Sequence, residues 1–376
     1  MSRRAWLAWL GVGLAVGCGS QAAPVTTPAL QVVATPLSTS LVTTQGTWAV
    51  AVMGGSAASR ENFWQLFVRR TGAARWTLVT PPAVASNGGL IAAGGAGGTS
   101  LLVGFRPSQG LSFSPLAVSR DAGQNWTPGL LDADLADVPD AIAVGASGRT
   151  LALLRGGSIE VAATAAAATA GQWSQLSNMG ALAVSAPGRA CGLVAVNAIS
   201  FGSNETPIVG GSCARRGVAG VFADSGGTWQ AAGPVLPAAF GGDQVQVIGL
   251  ASAPGGTVAL MAAGTSLVAA WSGAAGWTVS APVAAGPVIA SGFEPGGGVW
   301  VLLGGGRAET IGGAGGWRAL PAVPSGTQTL APGAGGGYDA LAVSGGRLTV
   351  WRLGPAGTVW ARVQVIDVPI AYGSSG

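Results

Sequence analysis

The 376-residue chain contains no histidine and no lysine, so all 18 of its basic residues are arginine. Without histidine there is no Ser-His-Asp or Cys-His catalysis and no histidine-ligated metal. Without lysine there is no Schiff-base chemistry and no phosphate-loop lysine. Charge of either sign is scarce, at 9% of residues, against roughly 25% in a typical soluble domain. The formal net charge is +4 and the arginines form no run, which argues against a nucleic-acid partner. Tyrosine occurs twice and cysteine three times. What is abundant is small and apolar: 65 glycines, 49% hydrophobic residues and 14 tryptophans. The length allows one large domain or two to three ordinary ones.

The first 18 residues read as an export signal. Arg3 and Arg4 form a positive n-region, and residues 5–16 are an apolar stretch of 12, well short of the about 20 needed to span a bilayer. The stretch ends in Leu14-Ala15-Val16-Gly17-Cys18, which resembles a bacterial lipobox, with Cys18 as the lipidated residue. An ordinary secretory signal or an uncleaved anchor is the alternative. The arginine pair also resembles a twin-arginine signal, with Trp6 in the usual Phe position. Residues 19–36 are rich in Ser, Gln, Ala, Pro and Thr and uncharged, the composition of a flexible tether. No later apolar run of 18 or more escapes interruption by Gly or Pro, so no transmembrane bundle is expected. With Cys18 lipidated, Cys191 and Cys213 remain. In an oxidising compartment they are most simply a disulfide closing a 22-residue loop, worth roughly 3 kcal/mol in the chain-entropy model. Two buried free thiols are the alternative.

Residues 37–376 carry an internal repeat. A tryptophan follows a glycine-containing turn at Trp76, Trp126, Trp173, Trp229, Trp277, Trp317 and Trp360, at gaps of 50, 47, 56, 48, 40 and 43 residues. Each Trp opens a short strand, and within each period Gly-rich turns cut out four short apolar segments. Residues 245–251, 257–261, 266–271 and 277–280 form one such set; 327–331, 338–343, 347–353 and 360–365 form another. The first set is 38–44, 48–53, 63–70 and 76–79. Short Val/Leu/Ala-rich strands between Gly/Pro/Ser turns read as antiparallel meanders. Four strands per 40–50 residues is the arithmetic of a β-propeller blade. The expectation is an all-β, seven-bladed β-propeller of four-stranded antiparallel blades. Strands packed on both faces read as continuous apolar runs, one cause of the low charge, a GC-rich genome that inflates Ala, Gly and Arg being the other. Residues 161–170 favour helix through their alanines, but their place in the third period predicts an outer strand and loop.

In the second copy, Ser119-Arg120-Asp121-Ala122-Gly123-Gln124-Asn125-Trp126 resembles the Asp-box of bacterial neuraminidase repeats, Ser-x-Asp-x-Gly-x-Thr-Trp. The fourth copy retains Asp224, Gly226, Thr228 and Trp229 but has Phe222 in the Ser position. The resemblance implies structural roles: Ser119 and Asp121 capping the turn between third and fourth strands, Gly123 supplying positive φ, and Trp126 plugging the space between sheets. It also brings in sialidases, whose chemistry uses a Tyr nucleophile with a Glu, an Asp acid/base and an arginine triad. The pieces do not assemble here. Phe105-Arg106-Pro107 is an imperfect match to the family's first arginine motif, and Tyr338 reads as a strand residue packing in the core. The five Glu residues (61, 160, 205, 294, 309) show no partner spacing.

Other candidates have plain readings. Asp132, Asp134, Asp137 and Asp140 lack the glycine and terminal Glu of a calcium loop and read as a solvated acidic loop, a weak calcium site being the alternative. Arg69-Arg70 and Arg215-Arg216 read as exposed charge at strand or turn ends, and two sequons, at Asn125 and Asn204, as incidental. The expected protein is a non-enzymatic, cofactor-free monomer held outside the cytoplasm of a bacterium by its lipid. It would bind a protein or glycan ligand on the funnel face of the propeller. Similarity to the lipidated, Asp-box-type photosystem II assembly factor family offers a second reading as an assembly chaperone, and a degenerate glycosidase a third.

Overall fold

The computed structural model describes residues 39–54, 63–81, 90–94, 100–105, 116–128, 139–313, 315–333 and 336–368, all within the compact unit Val33–Gly376. The signal, the tether and Cys18 lie outside them.

The chain forms successive antiparallel meanders of four strands. The first comprises β1 (Ser40–Thr43), β2 (Gly46–Met53), β3 (Phe63–Arg70) and β4 (Thr77–Leu78). The second comprises β5 (Leu90–Gly94), β6 (Leu101–Phe105), β7 (Leu116–Ser119) and β8 (Thr127–Pro128). The third has β9 (Ala141–Val144), β10 (Thr150–Leu153) and β11 (Ser158–Ala162), then helix α1 (Ala165–Thr169), then β12 (Ser174–Asn178). Helices α2 (Met179–Val184) and α3 (Ala186–Cys191) lead into the fourth meander: β13 (Leu193–Phe201), β14 (Pro207–Cys213), β15 (Gly220–Ser225) and β16 (Thr228–Ala231). The fifth is β17 (Val245–Ala253), β18 (Gly256–Ala263), β19 (Ser266–Gly273) and β20 (Gly276–Val279), with the short β21 (Val283–Ala284) beside β19. Then come β22 (Val288–Phe293), β23 (Val299–Leu303), β24 (Arg307–Ile311) and β25 (Arg318–Ala319). The last meander is β26 (Thr327–Pro332), β27 (Tyr338–Ser344), β28 (Arg347–Leu353) and β29 (Ala361–Asp367).

Five meanders are separate sheets. The fourth and fifth merge into one nine-stranded sheet through a single pairing, Ser212↔Gln246. That approach needs glycine: a Cβ on Gly210 would lie 2.5 Å from Val247 Cγ1.

Burial follows strand position. β2 and β23 are buried at every residue and β18 at all but its first, because neighbouring meanders cover both faces; hence their unbroken apolar runs. The outermost β29 is mostly exposed. One expectation fails in the third meander. The alanine run folds as helix α1, with Thr164 as N-cap accepting from the Ala167 N–H at 3.0 Å. Alanine propensity and a capping side chain outweigh the strand period there.

First strands pack against one another, β1 with β5, β5 with β9, β9 with β13, β13 with β17 and β22 with β26, and β26 packs back on β1; β17 and β22 approach where Gly249 faces the Phe293 ring. The meanders therefore close a ring, with first strands innermost. Antiparallel alternation places the start of every first strand at one end of the ring, here the leading end. The turns joining first to second and third to fourth strands lie at the trailing end. Side chains from neighbouring turns confirm this alignment: Glu205, from the β13–β14 turn, accepts from the Ala146 N–H in the β9–β10 turn at 2.6 Å.

Among the described residues the seam between the first and last meanders exchanges no strand; it is closed by one backbone bond, from the Gly54 N–H to the Gly345 carbonyl at 3.1 Å, and by side chains. Gln328 accepts from the Val52 N–H at 2.6 Å and donates to the Val52 carbonyl at 2.7 Å. Gln364 does the same to Trp76, at 2.8 and 2.9 Å. Each amide thus mimics one residue of strand pairing. Between them, fully buried Asp339 takes Arg69 at 2.7 Å, the Nε and Nη2 of Arg352 at 2.7 and 3.0 Å, and the Trp76 indole N–H at 2.8 Å. Arg69 also donates to Thr47 Oγ1 and the Pro332 carbonyl. Arg69, expected to be exposed, is 7% exposed. Burial pulls its guanidinium below the ordinary value, with the Asp339 charge opposing. A hydrogen-bonded Asp339 raises Arg352.

Candidate functional site

An axial concavity opens among the first strands. Its wall is built from β1, β5, β9, β13, β17 and β22, and its volume is about 650 Å³. Because first strands face this space rather than another sheet, they carry small and polar side chains: Ser40, Asn197, Ser252 and Ser291 lie on the wall among aliphatic residues. No described arginine lines it. Two carboxylates do, Asp140 beside the start of β9 and Glu294 just past the end of β22, so they sit at opposite ends of the cavity.

Glu294 is not a free acid. Its carboxylate accepts from the Tyr338 hydroxyl and from Thr310 Oγ1 at 3.3 Å, and Thr310 and Tyr338 are themselves 2.6 Å apart. The sequence showed no partner for any Glu; the fold brings Glu294 to a tyrosine 44 residues away, across the junction of two meanders. Tyr338 is buried, and burial, then the Glu294 charge and hydrogen bond, push its phenol well above the ordinary value. A phenol held protonated, donating to a carboxylate between two sheets, is the opposite of an activated nucleophile. The cluster joins the sheets. Glu205 likewise bridges meanders, through Ala146 N, Ser147 N and Ser147 Oγ, and Glu160 accepts from Ser158 Oγ at 2.7 Å. Among the described residues no three His, Cys, Asp or Glu side chains group to hold a metal.

The recurrent tryptophans have a common job. Trp126, Trp277, Trp317 and Trp360 each donate their indole N–H to a carbonyl of the preceding meander: Val79 at 3.0 Å, Ala232 at 2.8 Å, Ala281 at 3.0 Å and Pro321 at 3.1 Å. The acceptor lies three or four residues beyond the preceding Trp, so the repeat in the sequence is a repeat of one inter-sheet bond. Trp76 donates to Asp339 instead, across the seam. Trp173 departs from the pattern and bonds the Ala168 carbonyl of α1; Trp229 lies within β16, partly buried against its own and the third meander.

The turn at 119–126 is organised by its side chains. Ser119 Oγ accepts from the Gly123 N–H at 2.9 Å; Asp121 accepts from the Asn125 backbone and side-chain N–H groups at 2.8 and 2.6 Å. Those two donors from Asn125 hold the Asp121 carboxyl below its ordinary value. Gly123 has φ 76°, and a Cβ there would sit 2.8 Å from Val79. The fourth copy is built differently. Ser225 pairs with Thr228 across Gly226-Gly227, a two-residue hairpin, and Asp224 accepts from the Gly227 N–H at 2.8 Å. The remaining candidates are placed as follows. Cys191 and Cys213 are disulfide-bonded, with Cα atoms 5.2 Å apart. Arg215 and Arg216 are exposed. Asp132, Asp134, Asp137, Arg106 and Pro107 lie outside the described residues.

No family model matches the chain, and no curated protein matches it. Solved structures resemble it. A Lactobacillus plantarum protein is 12% identical, over 85% of this chain and 95% of its own, with a TM-score of 0.52. A 6-phosphogluconolactonase-like structure from Bacteroides uniformis is 13% identical, over 85% and 96%, with a TM-score of 0.50. YCF48 from Cyanidioschyzon merolae is 13% identical, over 82% and 98%, with a TM-score of 0.47. The fold is a β-propeller. The cavity lies along the axis of the ring of meanders. At such identities the likeness reaches the fold and no further.

Proposed function

We propose that the protein is a seven-bladed propeller, anchored outside the cytoplasm through lipid on Cys18, that acts as a non-catalytic binding module. Each four-stranded meander is taken as one blade, and the turn at 119–126 as an Asp-box used structurally. The observation that carries the reading is the axial channel: about 650 Å³, walled by small hydroxyl, amide and aliphatic groups, with its Glu294 carboxylate already engaged by Tyr338 and Thr310. Such a wall offers shape and hydrogen bonds to a protein segment or glycan, and no activated group.

The test is a binding screen of the full chain against glycan and peptide arrays. Hits should be lost on Ala143→Trp, which fills the channel, and kept on Arg347→Gln at the periphery. Hits indifferent to Ala143→Trp would place the site elsewhere, and turnover of a fluorogenic sialoside that disappears in Tyr338→Phe would refute the non-catalytic reading. The anchor is checked separately: palmitate labelling sensitive to globomycin and abolished by Cys18→Ala is the expected result.

A further inference from the structure

The leading end of the fourth blade carries an unusual surface. Helices α2 and α3 connect the third and fourth blades, and the Cys191–Cys213 bond pins α3 to the end of β14. The Arg215 N–H donates to the Cys191 carbonyl, and Val218 bridges to Val235, so this helical pair, the β14–β15 connection and the β16–β17 connection form one continuous surface. Three valines stand out from it: Val184 at 65%, Val194 at 49% and Val235 at 92% exposure. Three exposed arginines, Arg189, Arg215 and Arg216, stand on the same segments. Arg189 and Arg216 each donate only to a backbone carbonyl, of Val184 and Gly242. None of the three is in a salt bridge among the described residues. Residues 179–192, 214–219 and 232–244 contain one carboxylate, Asp243, against these three arginines.

We infer that this surface docks on an anionic lipid bilayer. The inference rests on the proposed lipid anchor, which supplies the geometry. The chain enters the propeller at Thr39, at the start of β1 and hence at the same leading end. Only 20 residues lie between Cys18 and Thr39, and the proposed tether of that length has a reach of about 25 Å, little more than the radius of gyration of about 20 Å for a domain this size. An anchored propeller therefore meets the membrane with its leading end. There, aliphatic tips insert at the boundary of headgroups and acyl chains, while guanidinium groups bond lipid phosphates.

The experiment uses the lipidated full chain in vesicles of phosphatidylethanolamine and phosphatidylglycerol, with vesicles of phosphatidylcholine as reference. Flotation reads the anchor; hydroxyl-radical labelling of Val184, Val194 and Val235 reads the docking. Labelling should fall several-fold on the anionic vesicles relative to detergent micelles, and return in 0.5 M salt. A triple variant, Arg189→Gln with Arg215→Gln and Arg216→Gln, should float equally well, unfold at the same temperature and lose the protection. Equal labelling in micelles and anionic vesicles, with flotation intact, overturns the docking and leaves the anchor standing. Loss of flotation in both vesicle types overturns both. Protection that persists in the triple variant and on phosphatidylcholine overturns the anionic-lipid assignment and indicates a purely apolar contact.

Discussion

Asp339 holds four hydrogen bonds from three side chains with no exposure to water. Removing one member of a buried ion pair strands the other, at about 3–5 kcal/mol. Asp339→Ala should lose that much in urea unfolding. Arg69→Met combined with Asp339→Leu should lose clearly less than the sum of the two single changes, because neither charge is then left unpaired. Additive losses would show that the pair is not coupled. Tyr338 supplies a pH test. Its folded value lies above the unfolded one of about 10, so its contribution is complete below pH 10 and fades as pH rises through the raised value. In an absorbance titration, Tyr338→Phe should remove the later of two ionisation steps and delay alkaline unfolding. A native Tyr338 step at the ordinary position would contradict the burial and Glu294 contact that raise it. Neither cluster was legible in the sequence. Arg69 and Asp339 are 270 residues apart, and Arg69 beside Arg70 at a strand end has the look of surface charge. The tryptophans were legible because one inter-sheet bond recurs at four of the seven positions, and a recurring bond leaves a period.

The elements divide in the same way. The strands of the last blade fall within a residue or two of the positions read from glycine turns, since each turn there is short and chemically marked. α1 was missed because an alanine run of four carries a helix signal too weak to outrank the period; only Thr164, three residues ahead of its bonded N–H, marks the start. Helices α2 and α3 begin with Asn178 and Ser185 as side-chain caps, which are visible only once the blade boundary is known. At the seam, the amide clasps act as elements in miniature. Gln328→Leu leaves the Val52 N–H and carbonyl without partners in a part-buried site, which costs about 1–3 kcal/mol. Gln328→Glu keeps the acceptor and loses the donor, and should fall between. The same series at Gln364 should give the same order. Amide exchange read at Val52 and at Trp76 checks each clasp directly, and an unchanged Val52 exchange rate in Gln328→Leu would show that the clasp carries no load.

For the whole ring, the seam differs from every other junction in one respect: no covalent connection crosses it. The fourth and fifth meanders share a strand pairing, and other neighbours share a linker, whereas the first and last hold each other through side chains and the backbone bond from Gly54 to Gly345. Unfolding should therefore begin there. Thr39 and Thr329 face each other across the seam with hydroxyl oxygens 2.7 Å apart, 290 residues apart in the chain, which makes the pair Thr39→Cys with Thr329→Cys the place to cross-link. Closing so long a loop restricts the unfolded chain by about 6 kcal/mol in the entropy model. The equilibrium gain alone does not locate the first opening, but its split between rates does. If the seam is already open in the transition state, the oxidised variant stabilises native contacts that form last, and unfolding slows while folding changes little. If the seam is intact in the transition state, the cross-link speeds folding and leaves the unfolding rate where it was. Stopped-flow chevrons of the oxidised and reduced variant, with Cys191–Cys213 intact in both, should show the first pattern, and the second would place the weak point of the ring elsewhere.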